Sequence, residues 1–338
     1  MVRIKSADRR APRRLAWLEE GKPRWLGGAS PKLTGRKPLK HDNTVECALK
    51  EKRMTVCTAS MFFWIYGPDD YGGAVVVAAD KMLTDLGLGI EYQGSRGKWA
   101  TFGKQRLVLV SGDLAIQSEI IRRMHILLHG IELPSTPETA ELVAAELRSY
   151  RATDAARVHL APLGLDEQSF ISKQRSMDSQ LVLKLANQLQ DHPTKAEALV
   201  IGCDNDQASI YRINGSGLVR NHSDIGFVSI GNGGIHSSAH FMFESYSHAT
   251  TYYRALYQTF KAKKRAEVAP GVGEFTEMFL VNRSGVSPIP REVIDTLEKI
   301  HKEDIERAKE RPEEVEGLLG EFFQELYPQP STPPENSK

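Results

Sequence analysis

Met54-Thr55-Val56-Cys57-Thr58-Ala59-Ser60, followed after a Pro- and Gly-marked gap by Ala74-Val75-Val76-Val77-Ala78-Ala79-Asp80, is the stretch that decides the fold. Thr55–Ser60 has the small and β-branched content of a strand, and 74–79 is an apolar run of strand length. Pro68-Asp69-Asp70 and Gly72-Gly73 between them predict a loop joining an antiparallel pair. Upstream, residues 1–53 show no sustained period, so patterned sequence begins abruptly at Met54.

Working outward, Lys98–Phe102 and Arg106–Ser111 predict a second pair, turning near Gly103-Lys104. Leu114, Ile120, Ile121, Met124, Leu127 and Leu128 recur at three- and four-residue steps, the mark of an amphipathic helix. Helices are also expected at 136–150, opening on Ser135 and Glu138 as cap signals, and at 172–190. Strand character returns at 198–203 and 208–213 around an Asp204-Asn205-Asp206 turn. A short strand at 226–230 then leads into Gly231-Asn232-Gly233-Gly234 and a helix. A helix at 250–267, a last strand at 275–281, and charged helices at 291–309 and 312–326 complete the pattern. Antiparallel pairs separated by helical blocks predict an α+β fold of two packed sheets with helices outside, not a doubly wound parallel sheet. Three segments are expected: a basic extension (1–53), a globular domain (54–285), and a charged helical extension with a Pro/Ser-rich tail (286–338).

The 338 residues carry a net charge of +1, which gives no global signal for nucleic acid or membrane. The charge is unevenly placed. Residues 1–53 hold 15 Lys+Arg against 6 Asp+Glu, leaving a mildly acidic remainder. Without aromatics beyond Trp17 and Trp25, that segment is expected to be a solvated tail rather than a nucleic-acid arm. Cys47, Cys57 and Cys203 have neither disulfide-framework nor zinc spacing, which fits a reducing compartment. No apolar run has bilayer-crossing length and no secretory h-region is present, so the expectation is a cytoplasmic protein.

Thr55 is the candidate nucleophile. A threonine hydroxyl is a poor nucleophile unless a base takes its proton, and an N-terminal threonine can use its own α-amine. A free α-amine titrates at roughly 7.7–8.0, so a useful fraction is neutral near pH 7. Met before a small residue suits methionine trimming, so Met54 is expected to be the natural start and the upstream segment a misassigned one.

Three segments, with the turn at 230–234, resemble the proteasome β-subunit family and its bacterial relatives. Val75–Asp80 resembles the family's apolar strand ending in Ala-Asp, with Thr84 four residues on. Lys98-Trp99 sits where the family keeps its catalytic lysine. Val108-Leu109-Val110-Ser111-Gly112-Asp113 resembles the turn whose glycine amide is the oxyanion donor, at the family's spacing from Lys98. Ile230-Gly231-Asn232-Gly233-Gly234 is similar to a Gly-Ser-Gly-Gly turn of the bacterial relatives, with Asn232 in the serine's place.

The resemblance spans 55–281 and implies the four-layer αββα sandwich of the N-terminal-nucleophile (Ntn) hydrolases. It also implies the roles. Thr55 attacks a peptide carbonyl, Lys98 lowers its hydroxyl pKa, and Asp80 orients Lys98. The Gly112 amide holds the oxyanion, Thr84 aligns substrate, and Val110 and Leu114 line an apolar pocket. The family's later aspartate has no clean match, and Glu267 is the nearest candidate. Implied too are a peptide or unfolded-protein substrate, a homo-oligomeric ring, and no metal or cofactor; an ATP-driven unfolding partner is left open.

Two rivals keep the fold: an Ntn hydrolase of small amides, and a catalytically silent scaffold subunit that never frees Thr55. Arg53-Met54 is not the glycine that relatives place before an autocatalytic scissile bond. Cys57 is expected in the core. His236 and His240 at i, i+4 lack a third metal ligand, and Asp204 and Asp206 belong to a turn rather than a calcium loop.

Overall fold

The computed structural model describes residues 55–327, apart from 69, 86–89, 94–97, 131 and 194–195. The expectations for 1–53, Met54 and the tail at 328–338 lie outside the described residues.

The protein is α+β, built on two five-stranded antiparallel sheets. In chain order the strands are β1 (Val56–Gly67), β2 (Asp70–Asp80), β3 (Met82–Asp85), β4 (Ile90–Gln93), β5 (Trp99–Phe102) and β6 (Arg106–Gly112). They continue with β7 (Ala196–Asp204), β8 (Gln207–Ile213), β9 (Val219–Asn221), β10 (Phe227–Gly231), β11 (Thr276–Asn282) and β12 (Gly285–Pro288). The helices are α1 (Leu114–Leu127), α2 (Thr136–His159), α3 (Glu167–Lys173), α4 (Ser179–Gln190), α5 (Gly234–Phe243), α6 (Tyr252–Ala266) and α7 (Arg291–Leu326). One sheet runs β10-β1-β2-β11-β12, the other β5-β6-β7-β8-β9, and β3-β4 form a separate hairpin.

Strand alternation shows how the layers meet. Cys57, Ala59, Val75, Val77 and Ala79 of the first sheet share one apolar cluster with Leu107, Leu109, Leu199 and Ile201 of the second. Their neighbours face the other way. Val76, Ala78 and Met278 pack with Leu256 and Phe260 of α6, and Val108, Val110 and Val200 pack with Ile120 of α1 and Leu147 of α2. Both faces of β6 are therefore covered, and each of its seven residues is buried. A strand buried on both sides loses the polar alternation of an exposed one, which is why these runs are continuously apolar.

Several expectations shift. The loop expected over Pro68-Asp69-Asp70 and Gly72-Gly73 shrinks to a turn at Pro68: β1 runs to Gly67 and β2 already pairs at Asp70, so Gly72 and Gly73 sit inside β2. Gly73 is needed there for closeness, since a Cβ would stand 2.8 Å from the Ala208 nitrogen of the opposite sheet. The helix expected at 172–190 is broken. Asp178 accepts from Gln180 and Leu181 N–H, both at 3.0 Å, and so starts α4 afresh. The helix from Thr136 is longer than expected and ends at His159.

At the C-terminal side, β12 follows the strand expected to be last and pairs with it. Ile289, Ile294 and Leu297 are buried in the core, so the folded body continues beyond 285. The two helices expected at 291–309 and 312–326 are one helix, with Pro312 inside. Residues 305–323 are exposed throughout, so water can satisfy the carbonyl that Pro312 leaves without its donor. No helix among the described residues is long and apolar enough to cross a membrane.

Candidate active site

Thr55 enters β1 from the end where β10 and β2 flank it. Val56 pairs with Gly231, and Cys57 with both Ile230 and Ala79. Gly231 has φ +85°, and a Cβ there would stand 2.2 Å from the Thr55 carbonyl oxygen. Only glycine lets the turn after β10 close over the first residue of β1. Val56 in turn packs on Ala266, Ala269 and Val272, tying this corner to the end of α6.

Three side chains meet there, all buried: Thr55, Asp80 and Lys98. Asp80 closes β2 and Lys98 immediately precedes β5, so the two sheets each contribute one charge. The Lys98 ammonium donates to Thr55 Oγ1 at 2.5 Å and to Asp80 Oδ1 at 2.7 Å. The Thr55 hydroxyl donates to the same Asp80 oxygen at 3.1 Å, and the Val56 N–H donates to it at 2.9 Å. The other carboxylate oxygen accepts the Gly273 N–H at 3.1 Å. A buried ion pair is costly unless its hydrogen bonds are satisfied, and here the carboxylate is bound on both oxygens. Chemically, a cation in contact with a hydroxyl oxygen favours the alkoxide that a nucleophilic attack needs.

The other expected residues fall at different distances from this centre. Gly112 ends β6 with φ +122°, its carbonyl held by Gln117 Nε2 at 2.9 Å and Asp113 capping α1 beyond it. Two residues earlier, the Val110 N–H donates to the Lys98 carbonyl at 2.8 Å, which joins this strand end to the lysine. Val110 does not line an open pocket: its side chain is fully buried with Ile116 and Ile120 in the helix-facing core. Leu114 is half-buried in the first turn of α1. Thr84 falls on β3, whose backbone alone is described, so its side chain lies outside the described residues.

Asn232 is half-buried in the turn beside Gly231. In that turn the Gly233 N–H donates to the Thr55 carbonyl at 3.4 Å. Glu267 does not reach Thr55. It pairs with Lys263 at 2.5 Å and Lys264 at 3.0 Å, because it follows α6 within one turn of both. Lys263, Gly273 and the Val56 amide were missed by sequence reasoning. A signal existed for the first: Lys263 interrupts the buried stripe Leu256, Thr259, Ala266 of α6.

The rival constellations resolve into structure. His240 bonds Gln258 Oε1 at 2.7 Å while His236 is exposed, and among the described residues no group of three or more His, Cys, Asp or Glu is arranged to hold a metal. Asp204 holds Arg106 and accepts the Thr136 N–H at 2.8 Å at the head of α2. Asn205 and Asp206 both take positive φ, as a two-residue hairpin turn requires. Cys57 is a core thiol that burial pushes up to about 12.

The chain matches no family model and no curated protein.

Proposed function

We propose that the protein is a threonine-type Ntn hydrolase cleaving peptide bonds through an acyl-enzyme on Thr55, with the αββα sandwich of that class. The observation that carries this reading is the contact of one buried ammonium with both the Thr55 hydroxyl and the Asp80 carboxylate. A threonine placed only for packing has no need of a buried charge pair against its oxygen, since burying such a pair brings little stability.

In the proposed reaction, Thr55 Oγ1 attacks the carbonyl carbon and its proton passes to the Thr55 α-amine, which then protonates the leaving amine. Lys98 stabilises the alkoxide, and Asp80 fixes Lys98. The amide N–H of Gly112 is assigned to the oxyanion, an interaction whose loss costs on the order of a hundredfold in rate. Water then hydrolyses the ester, with the amine again as base.

The base exists only when Thr55 is the first residue. In the full sequence its nitrogen is an amide to Met54, and Thr55 is fully buried. That observation favours a second reading, a silent scaffold subunit, for any chain that keeps its upstream residues. Intact mass of the natively produced protein separates the two. A mass beginning at Thr55, with turnover of peptide aminocoumarin amides, supports the enzyme; a chain retaining Met1 or Met54 and turning over nothing supports the scaffold. Assembly into closed rings belongs to the same proposal, and a monomer by light scattering counts against it.

A further inference from the structure

Lys263 is one of the largest fully buried side chains among the described residues, and the reaction above does not use it. It lies on the inward stripe of α6 with Leu256, Thr259 and Ala266. An ammonium in that position is tolerable only if its donors are matched, and three acceptors meet it. They are Glu267 Oε1 at 2.5 Å, the Gly273 carbonyl at 2.7 Å and the Glu274 carbonyl at 2.8 Å. Gly273 is thus held on both sides, because its own N–H donates to Asp80 Oδ2 at 3.1 Å. Asp80 then turns Oδ1 to Thr55, Val56 and Lys98.

We propose that Lys263 is a positioning residue for the Thr55 site, its ammonium locking the 273–274 backbone so that the Gly273 amide sets the orientation of Asp80. Glu267 is its counter-ion, which gives that carboxylate a role one step removed from the nucleophile. The inference rests on the reading of Thr55 as the nucleophile. Helix packing alone would be served by an uncharged residue in the stripe; an ammonium bound to two successive carbonyls is built to hold a loop. Charged groups facing Lys263 among the described residues are Lys264 from its own helix, Glu267 just beyond that helix and Asp80 from β2. Burial brings the ammonium down to about 8, opposed chiefly by Glu267, so the lock opens within an accessible pH range.

The test uses the processed protein with a free Thr55, a leucine-terminated tripeptide aminocoumarin amide as substrate, and a peptidyl vinyl sulfone read by intact mass. Wild type, K263M, K263R and E267Q are compared from pH 6 to 9.5, with unfolding curves for each. K263M is expected to lose about tenfold to a hundredfold in kcat, the scale of a small misplacement, with KM within about twofold. K263R recovers part of that loss and keeps its rate above pH 8, where wild type declines. E267Q moves the alkaline limb of kcat to lower pH, because the ammonium has lost the carboxylate that sustains it.

A folded K263M with wild-type kcat overturns the proposal. If K263M does not fold, E267Q decides, and an unmoved alkaline limb overturns it. A wild-type chain with free Thr55 that neither turns over nor is labelled removes the Thr55 reading and this inference together; labelled wild type beside an equally labelled and equally fast K263M removes this inference alone.

Discussion

Two lysines are fully buried within this corner of the fold, and they are bound to different kinds of partner. Lys98 meets a side-chain hydroxyl and a carboxylate; Lys263 meets two backbone carbonyls and a carboxylate. The first cation faces a group able to react, the second a length of main chain. The difference teaches that burial of a charge is not itself the mark of a catalytic group. What the charge touches decides: Lys98 can act on an oxygen whose charge changes during a reaction, whereas Lys263 can act only through the backbone it holds.

The largest expected effect comes from removing the atom Lys98 serves. T55A in the processed chain abolishes peptide turnover and covalent labelling, while T55S retains both at reduced rate; labelling that persists in T55A would detach the chemistry from this oxygen. K98M should follow, with kcat lowered on the order of a thousandfold, well beyond the effect of K263M, because it removes the charge beside the oxygen proposed to react. Equal losses in the two lysine variants would dissolve the distinction between them.

G231A tests the backbone that brings Thr55 to Lys98. Positive φ and a Cβ 2.2 Å from the Thr55 carbonyl predict a loss of about 3 kcal/mol in denaturant unfolding. Lys263 also predicts a pH signature. Its folded value of about 8 lies below the ordinary lysine value, so the unfolded chain binds the proton more tightly. Below pH 8 both states are protonated and the group adds no slope. From about pH 8 to 10.5 the unfolded state alone retains the proton, so wild-type stability should rise relative to K263M, by about 3 kcal/mol in total. A flat difference across that range would mean an unshifted lysine. The smallest effect is an absence: iodoacetamide at pH 8 should leave Cys57 unmodified in the folded protein, since a thiol held near 12 offers almost no thiolate.

Much of this site was legible in advance for a local reason. Ala74–Asp80 is apolar because both faces of β2 are covered, and a charged residue ending such a run stands out. Lys98 and Gly112 frame a strand pair of ordinary length, and their interval is a property of one hairpin. The loop expected across Gly72-Gly73 failed because glycine marks either a turn or a close approach. Only the opposite sheet, at Ala208, distinguishes the two. Glu267 was drawn toward Thr55 by its position in the chain, whereas one helical turn gives it to Lys263 and Lys264.

The sequence by itself determined the alternation of strand pairs and helices and the α+β class, and it put Thr55, Asp80 and Lys98 forward as a candidate set. These follow from periodicity and side-chain type, which are local. Only the tertiary structure decided that Lys98 and Asp80 from different sheets meet at one hydroxyl. It alone decided that Val110 turns to the helices and that Gly273 binds Asp80 while held by Lys263. Those outcomes depend on which strand faces adjoin and where a loop returns after α6, and a hydrogen bond such as Gly273 to Asp80, 193 positions apart, leaves no period in the chain.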